Sequence, residues 1–213
     1  MNKSKIKICG IKDIKTLNCC IKNKVDFFGL IFYKKSPRNI SFNDALNLVY
    51  HSKNKKIKSV GVFVNESINQ LNLLLKKLKV DYIQLHGKED NQYISEIKKS
   101  NSVKIIKNIP IQGLTDLLAI NNYPNADMFL FDYKPMENEL PGGNSKQFSW
   151  ELIKNIEIDK PWFISGGINI KNINKINNFT IPYGIDISSG VEEIQGIKSN
   201  DKITLLIKSY ESK

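Results

Sequence analysis

The chain has 213 residues, 41% of them hydrophobic and 25% charged, enough to bury a substantial core in one large domain or two small ones without disulfides or a structural metal. Its formal charge of +11 comes from lysines scattered along the whole length, whereas a nucleic-acid-binding module would gather them on one face with aromatics among them. The three cysteines, Cys9, Cys19 and Cys20, are odd in number and two are adjacent, which excludes a zinc spacing or a disulfide framework and points to a reducing compartment.

The first stretch, K-I-K-I-C-G, alternates at period two and reads as a strand over residues 6–9 that delivers Cys9 against Gly10. A helical stretch follows over 13–23. The apolar run 27–32 suits a strand buried on both faces, and 42–51 is helical behind Ser41 or Asn43 as cap. Strands are then expected over 59–64, 82–85, 103–106, 128–131, 162–164 and 184–187. Helices are expected between and after them, over 67–78, 91–99, 114–121, 150–156, 171–177 and 197–210. The sixth strand stops at Asp132 and is followed by a long polar loop over 133–147.

Eight strand-then-helix units imply a parallel sheet. In this length they fit a closed, eight-stranded (β/α)₈ TIM barrel forming a single α/β domain over residues 1–213. An open doubly wound sheet is the rival. The amino terminus has no apolar h-region, and the longest apolar run, residues 27–33, is too short to cross a bilayer. A soluble cytoplasmic protein with no membrane partner is expected.

The residues directly after the strands are polar or glycine: Cys9, Tyr33 with S-P-R-N, Asn65, His86, Asp132, Ser165-Gly166-Gly167 and Ser188-Ser189-Gly190. Collected at one rim, they describe an enzyme. The seventh and eighth loops offer bare amides at Gly166 and Gly167, and a short helix starting near Ser188 would aim its amino end at the same anion, a phosphate. Cys9 is read as a nucleophile or general base, its thiolate favoured by Lys7 two residues earlier. Asp132 lies between Phe131 and Tyr133, where desolvation would raise its pKa and suit it to act as an acid. Arg38 is the only arginine in the chain, and its planar fork matches a carboxylate. Asp186 is expected to orient its loop or face the barrel interior.

These motifs, in this order, resemble the phosphoribosylanthranilate isomerase family. The resemblance is carried by K-I-C-G-I, G-L-I-F followed by S-P-R, V-G-V-F-V-N, Q-L-H-G, L-F-D, P-G-G before F-S-W, S-G-G-I and D-I-S-S-G-V-E. It implies a (β/α)₈ barrel of tryptophan biosynthesis that performs an Amadori rearrangement on a small phosphoribosyl substrate, with no cofactor and no metal. Cys9 and Asp132 would then be the base and acid. Arg38 would hold the anthranilate carboxylate. His86, Gly166, Gly167, Ser188, Ser189 and Gly190 would complete the binding site, in a monomer or homodimer. Another phosphate-binding barrel, such as a ribulose-phosphate epimerase, would need metal-bound histidines at two strand ends, and only His51 and His86 are present. The chain departs from the family's usual residues at Lys12 and, in the long sixth loop, at Asn144, Ser145 and Ser149.

Overall fold

The computed structural model describes residues 3–139, 142–143, 146–154 and 156–212. Eight parallel strands close into one barrel in sequence order: β1 (Lys5–Cys9), β2 (Phe27–Phe32), β3 (Lys58–Phe63), β4 (Tyr82–Leu85), β5 (Lys104–Ile111), β6 (Met128–Tyr133), β7 (Trp162–Ile164) and β8 (Gly184–Ile187). β8 returns to β1, with Lys7 opposite Asp186 and Ile8 opposite Ile187. The open doubly wound alternative is thereby set aside.

Strand alternation divides the buried residues into two sets. Ile6, Ile8, Phe28, Leu30, Phe63, Ile105, Phe131 and Ile185 face outward into the core shared with the helices. Cys9, Phe27, Val60, Val62, Ile106, Met128, Leu130 and Phe163 fill the barrel itself. At the amino-terminal end of the strands Phe27 meets Tyr82 and Phe163 edge-on at 5.5 and 5.3 Å. Lys5 and Lys104 lie over these rings. The opposite end of the interior is polar, which is where the functional residues stand.

Among the described residues five α-helices cover the outside: α1 (Ile14–Lys22), α2 (Phe42–Ser52), α3 (Ile68–Lys77), α4 (Asn91–Ser100) and α5 (Asn200–Glu211). Each begins on a side chain that accepts an N–H three residues on: Asp13, Ser41, Ser67, Asp90 and Ser199. Such caps stabilise a helix start by about 1 kcal/mol each. None of the described helices is long and apolar enough to cross a membrane.

Three expected helices are instead short 3₁₀ segments, Leu114–Asn122, Trp150–Ile153 and Ile173–Asn178. In none does the N-cap side chain accept a hydrogen bond, although in the first Asp116 accepts the Gly113 N–H at 2.9 Å, and the last is mostly isoleucine and asparagine, both weak helix formers. β5 runs on to Ile111 and β6 to Tyr133, so Asp132 lies inside a strand rather than beyond it. The last helix starts at Asn200. Residues 197–198 belong instead to a small antiparallel hairpin, β9 (Glu192–Ile194) with β10 (Ile197–Lys198). Gly196, at φ +86, makes the turn. This hairpin also replaces the helix expected near Ser188. Of the sixth-loop departures, Asn144 and Ser145 lie outside the described residues, as does Pro141 of the P-G-G motif.

Candidate functional site

Alternation along β1 turns Lys7 and Cys9 into the barrel. Gly10, at φ +87, then lets the chain leave the strand. Cys9 stands opposite Gly29 of β2. A Cβ at residue 29 would lie 2.6 Å from the Cys9 sulfur, so the missing side chain is what gives the thiol its place. Burial pushes the Cys9 pKa up, and the opposing pull of Lys7 and Lys198 does not reverse this. Lys7 favours the thiolate, as the sequence suggested, but burial outweighs it and the resting group is the thiol. The Lys7 ammonium, fully buried, donates to Gln84 Oε1 and Asp186 Oδ2, each at 2.9 Å. Asp186 faces the interior, and its other oxygen has no partner among the described residues.

Asp132 enters from β6, buried with 6% exposure. Its Oδ1 accepts the Tyr133 N–H at 2.8 Å. Burial raises its pKa to about 7, with Asp186 adding to the shift and the Tyr133 amide and Lys7 opposing it. The direction agrees with the sequence reading. His86, one residue past β4, has its Nδ1 2.8 Å from Gln84 Nε2 and its Nε2 3.6 Å from Asp132 Oδ2. Burial, with Lys7 and Lys107, lowers the His86 pKa to about 3. The imidazole is neutral at ordinary pH, so its approach to Asp132 is not an ion pair.

Arg38 is buried, and its fork is already engaged. Nε and Nη2 donate to the two oxygens of Glu192 at 2.7 and 2.8 Å. Glu192 reaches it through the β9–β10 hairpin and also accepts from Lys198 Nζ at 2.7 Å and the Gly196 N–H at 3.1 Å. Burial would raise the Glu192 carboxyl, but Arg38 and Lys198 hold it down at about 2. The Nη1 edge lies outside this pairing.

Cys9, Asp132, Arg38 and His86 line one cleft of about 490 Å³, together with Gln84 and Tyr33. A second cavity of about 350 Å³ adjoins it, sharing Asp132, Ser165 and Asp186, and is lined by Gly166, Gly167, Ser188, Ser189 and Lys146. Among the described residues the Gly166 and Gly167 amides meet no backbone acceptor. Gly190 stands behind this lining. It bridges to Asn169, and a Cβ there would collide with the Ile168 carbonyl oxygen at 1.9 Å, so it ties the seventh and eighth loops together. Gly142 and Gly143, at φ +80 and +73, fold over the cleft. A Cβ on Gly142 would lie 2.7 Å from His86 Nε2, and one on Gly143 2.3 Å from Arg38 Nη1.

The structure thus brings together the sequence-read residues Cys9, Asp132, Arg38, His86, Gly166, Gly167, Ser188 and Ser189, and sets Gly190 one step back. Sequence reasoning missed Gln84, Glu192, Lys198, Lys146 and the packing role of Gly142 and Gly143. A signal existed for Gln84, which shares a strand face with His86. Chemically the cleft offers an uncharged thiol, an acid poised near neutrality and an anion pocket alongside. That equipment suits proton transfers on a phosphorylated small molecule.

Comparison with known proteins agrees. Residues 6–209 match the family described as N-(5'phosphoribosyl)anthranilate (PRA) isomerase. An N-(5'-phosphoribosyl)anthranilate isomerase of Paramagnetospirillum magneticum is 34% identical over 206 residues, covering 96% of this chain and 95% of its own. The crystal structure of phosphoribosyl anthranilate isomerase from Thermotoga maritima superposes with a TM-score of 0.87 at 29% identity, over 99% of this chain and 100% of that one. A phosphoribosyl anthranilate isomerase solved in complex with reduced 1-(o-carboxyphenylamino)-1-deoxyribulose 5-phosphate gives a TM-score of 0.83 at 27% identity, covering 99% of this chain and 100% of that one.

Proposed function

The chain belongs to the PRA isomerase family, and from that premise we propose that it converts N-(5-phosphoribosyl)anthranilate to 1-(2-carboxyphenylamino)-1-deoxyribulose 5-phosphate in tryptophan biosynthesis. One observation carries the assignment of roles: Cys9 and Asp132, from opposite parts of the chain, line the same cleft beside an amide-lined cavity.

In this reading Asp132 gives its proton to the ribose ring oxygen. The C1–O bond breaks, and the anilino nitrogen's lone pair forms the C1=N bond of a cationic Schiff base. A carboxyl with a pKa near 7 is matched to that task at neutral pH. Cys9 as thiolate then removes the proton on C2, and the electron pair moves through C1 to neutralise the nitrogen, leaving an enolamine. The buried sulfur rests as a thiol; the new positive charge on the substrate, added to Lys7 and Lys198, favours its ionised form, the thiol proton passing to water in the open cleft and being taken back after product leaves. Ketone formation closes the cycle when C1 gains the proton from Cys9 and the C2 hydroxyl proton passes to Asp132. Gly166, Gly167, Ser188 and Ser189 hold the phosphate. Arg38 offers Nη1 to the anthranilate carboxylate while Glu192 locks the guanidinium plane. The three free cysteines support a cytoplasmic location.

The test is loss of phosphoribosylanthranilate fluorescence on adding the protein, its Cys9→Ala variant or its Asp132→Asn variant. The wild type turns substrate over, and each variant loses about 10²–10⁴-fold in kcat with the fold retained. A wild type without turnover rejects the activity. Two variants with near-normal turnover reject the acid and base assignments.

A further inference from the structure

Lys7, Gln84, His86 and Asp132 form a directed chain of contacts across the barrel mouth. Lysine can only donate hydrogen bonds. Its 2.9 Å contact therefore places the amide oxygen of Gln84 toward Lys7, leaving the NH₂ group to face His86 Nδ1 at 2.8 Å. An NH₂ group cannot accept, so Nδ1 is the acceptor and the single proton of the neutral ring sits on Nε2. Nε2–H is directed at Asp132 Oδ2, 3.6 Å away. Because Asp132 Oδ1 is taken by the Tyr133 amide, the acid's proton belongs on Oδ2. Two donors then face each other, and the gap is wider than a hydrogen bond.

We propose that Gln84 is a positioning residue which fixes His86 in its Nε2–H tautomer, so that His86 donates to Asp132 only once Asp132 has given its proton away. The inference rests on the acid role of Asp132 proposed above. An interaction that is weak with the protonated acid and strengthens as charge develops on Oδ2 stabilises the transition state more than the ground state. The ring does not compete for the proton, since burial with Lys7 and Lys107 nearby disfavours an imidazolium. Charged and titratable groups around the contacts come from every side: Lys7 and Cys9 on β1, Lys107 on β5, Asp132 on β6, Asp186 on β8 and Glu89 in the loop after β4. Gly142 closes the remaining side, where a Cβ would lie 2.7 Å from Nε2 and 3.4 Å from Oδ2.

The chain has two histidines, His51 and His86, so imidazole ¹⁵N spectra of histidine-labelled protein resolve each ring. His86 of the wild type is expected in the Nε2–H form and neutral across the pH range in which the protein stays folded. In Gln84→Glu the carboxylate accepts from Lys7 and from Nδ1–H, so His86 changes to the Nδ1–H form or an imidazolium. The kcat then falls by on the order of 10-fold or more, toward the roughly 10²–10³-fold seen when one donor to a developing anion is removed, and KM changes little. His86→Gln, which keeps an N–H donor at the reach of Nε2, retains more kcat than His86→Leu. The proposal is overturned if wild-type His86 carries its proton on Nδ1, if Gln84→Glu changes the tautomer but not kcat or its pH profile, or if His86→Gln and His86→Leu are equally active. The wild-type spectrum stands whether or not turnover is found, so failure of the activity and failure of the tautomer are read separately.

Discussion

The two rims of the barrel use the same residue type to opposite ends. At the amino-terminal rim Asp26, Asp81 and Asp127 each stand one residue before an even-numbered strand. Each accepts the N–H of the second residue of the strand before it: Ile6 at 2.8 Å, Ser59 at 2.9 Å and Ile105 at 2.7 Å. Lys58 and Lys98 pair with two of them. Burial would raise the Asp81 pKa, but Lys58 and both Ser59 donors bring it below the ordinary carboxylate value. At the other rim Asp132 is buried with one backbone donor and rises to about 7. Depth of burial and donor number together separate a carboxylate that clasps two strands from one that keeps its proton near neutral pH. In the proposed reading, stability is concentrated at one end of the strands and chemistry at the other.

Exchanging the damage between rims is the strongest way to break this comparison. Asp132→Asn is expected to cut kcat by about 10²–10⁴-fold without lowering the melting temperature at neutral pH. Asp81→Ala is expected to do the reverse, costing on the order of 1–3 kcal/mol in denaturant titrations through the orphaned Ser59 amide while leaving kcat nearly unchanged. Loss of activity from the Asp81 variant while it is fully folded would end the division of labour.

The pH dependence sharpens the same point. The folded-state pKa of Asp132 lies above its unfolded value of 3.8, at about 7, so the folded protein holds this proton more tightly than the unfolded chain. Its stabilising contribution is full below the unfolded pKa and is lost as pH rises toward the folded one. Asp132→Asn should gain stability relative to wild type over that interval and hold the gain above it. The wild-type kcat should fall as pH rises through about 7. A kcat profile and a stability difference that are both flat across this range contradict the shift.

Gly29→Ala tests whether the site depends on one missing side chain. The added methyl would sit 2.6 Å from the Cys9 sulfur, and a displaced catalytic group of this kind costs about 10²-fold. Activity within a few-fold of wild type would mean that the thiol's position is not critical.

Much of this was legible beforehand, for physical reasons. Alternation and apolar runs located every barrel strand, because a strand's side chains report its two faces locally. Cys9 and Asp132 stood out because strand ends in such a barrel converge on one rim. Partners across the barrel were not legible. Gln84 and Lys7 are separated by 77 residues and Arg38 and Glu192 by 154, and no local pattern encodes those approaches. The direction in which Lys7 acts on Cys9 was legible, but not the burial that outweighs it, because burial depends on the closed barrel. The hairpin after Ser188 was missed although Gln195-Gly196 is a turn signal, because the following I-K merges with the periodicity of α5.

The smallest expected effects lie in ion pairs, and they too divide by rim. Arg38→Lys keeps the charge but loses the two-pronged contact with Glu192, whose oxygens are otherwise held by Lys198 and Gly196. A lysine cannot reproduce a planar fork, so the group that would meet the substrate carboxylate loses its fixed plane. KM is expected to rise about tenfold, the equivalent of about 1.4 kcal/mol, with kcat affected less. Lys58→Met at the opposite rim removes a pair whose lysine side chain is 58% exposed. Solvent and side-chain entropy limit such pairs to about 0–1 kcal/mol, and Asp81 keeps both Ser59 donors. Chemical denaturation of Lys58→Met should therefore barely differ from wild type, and its KM should not differ at all. If the exposed pair proved the costlier one to break, burial and donor number would not be what sets the two rims apart.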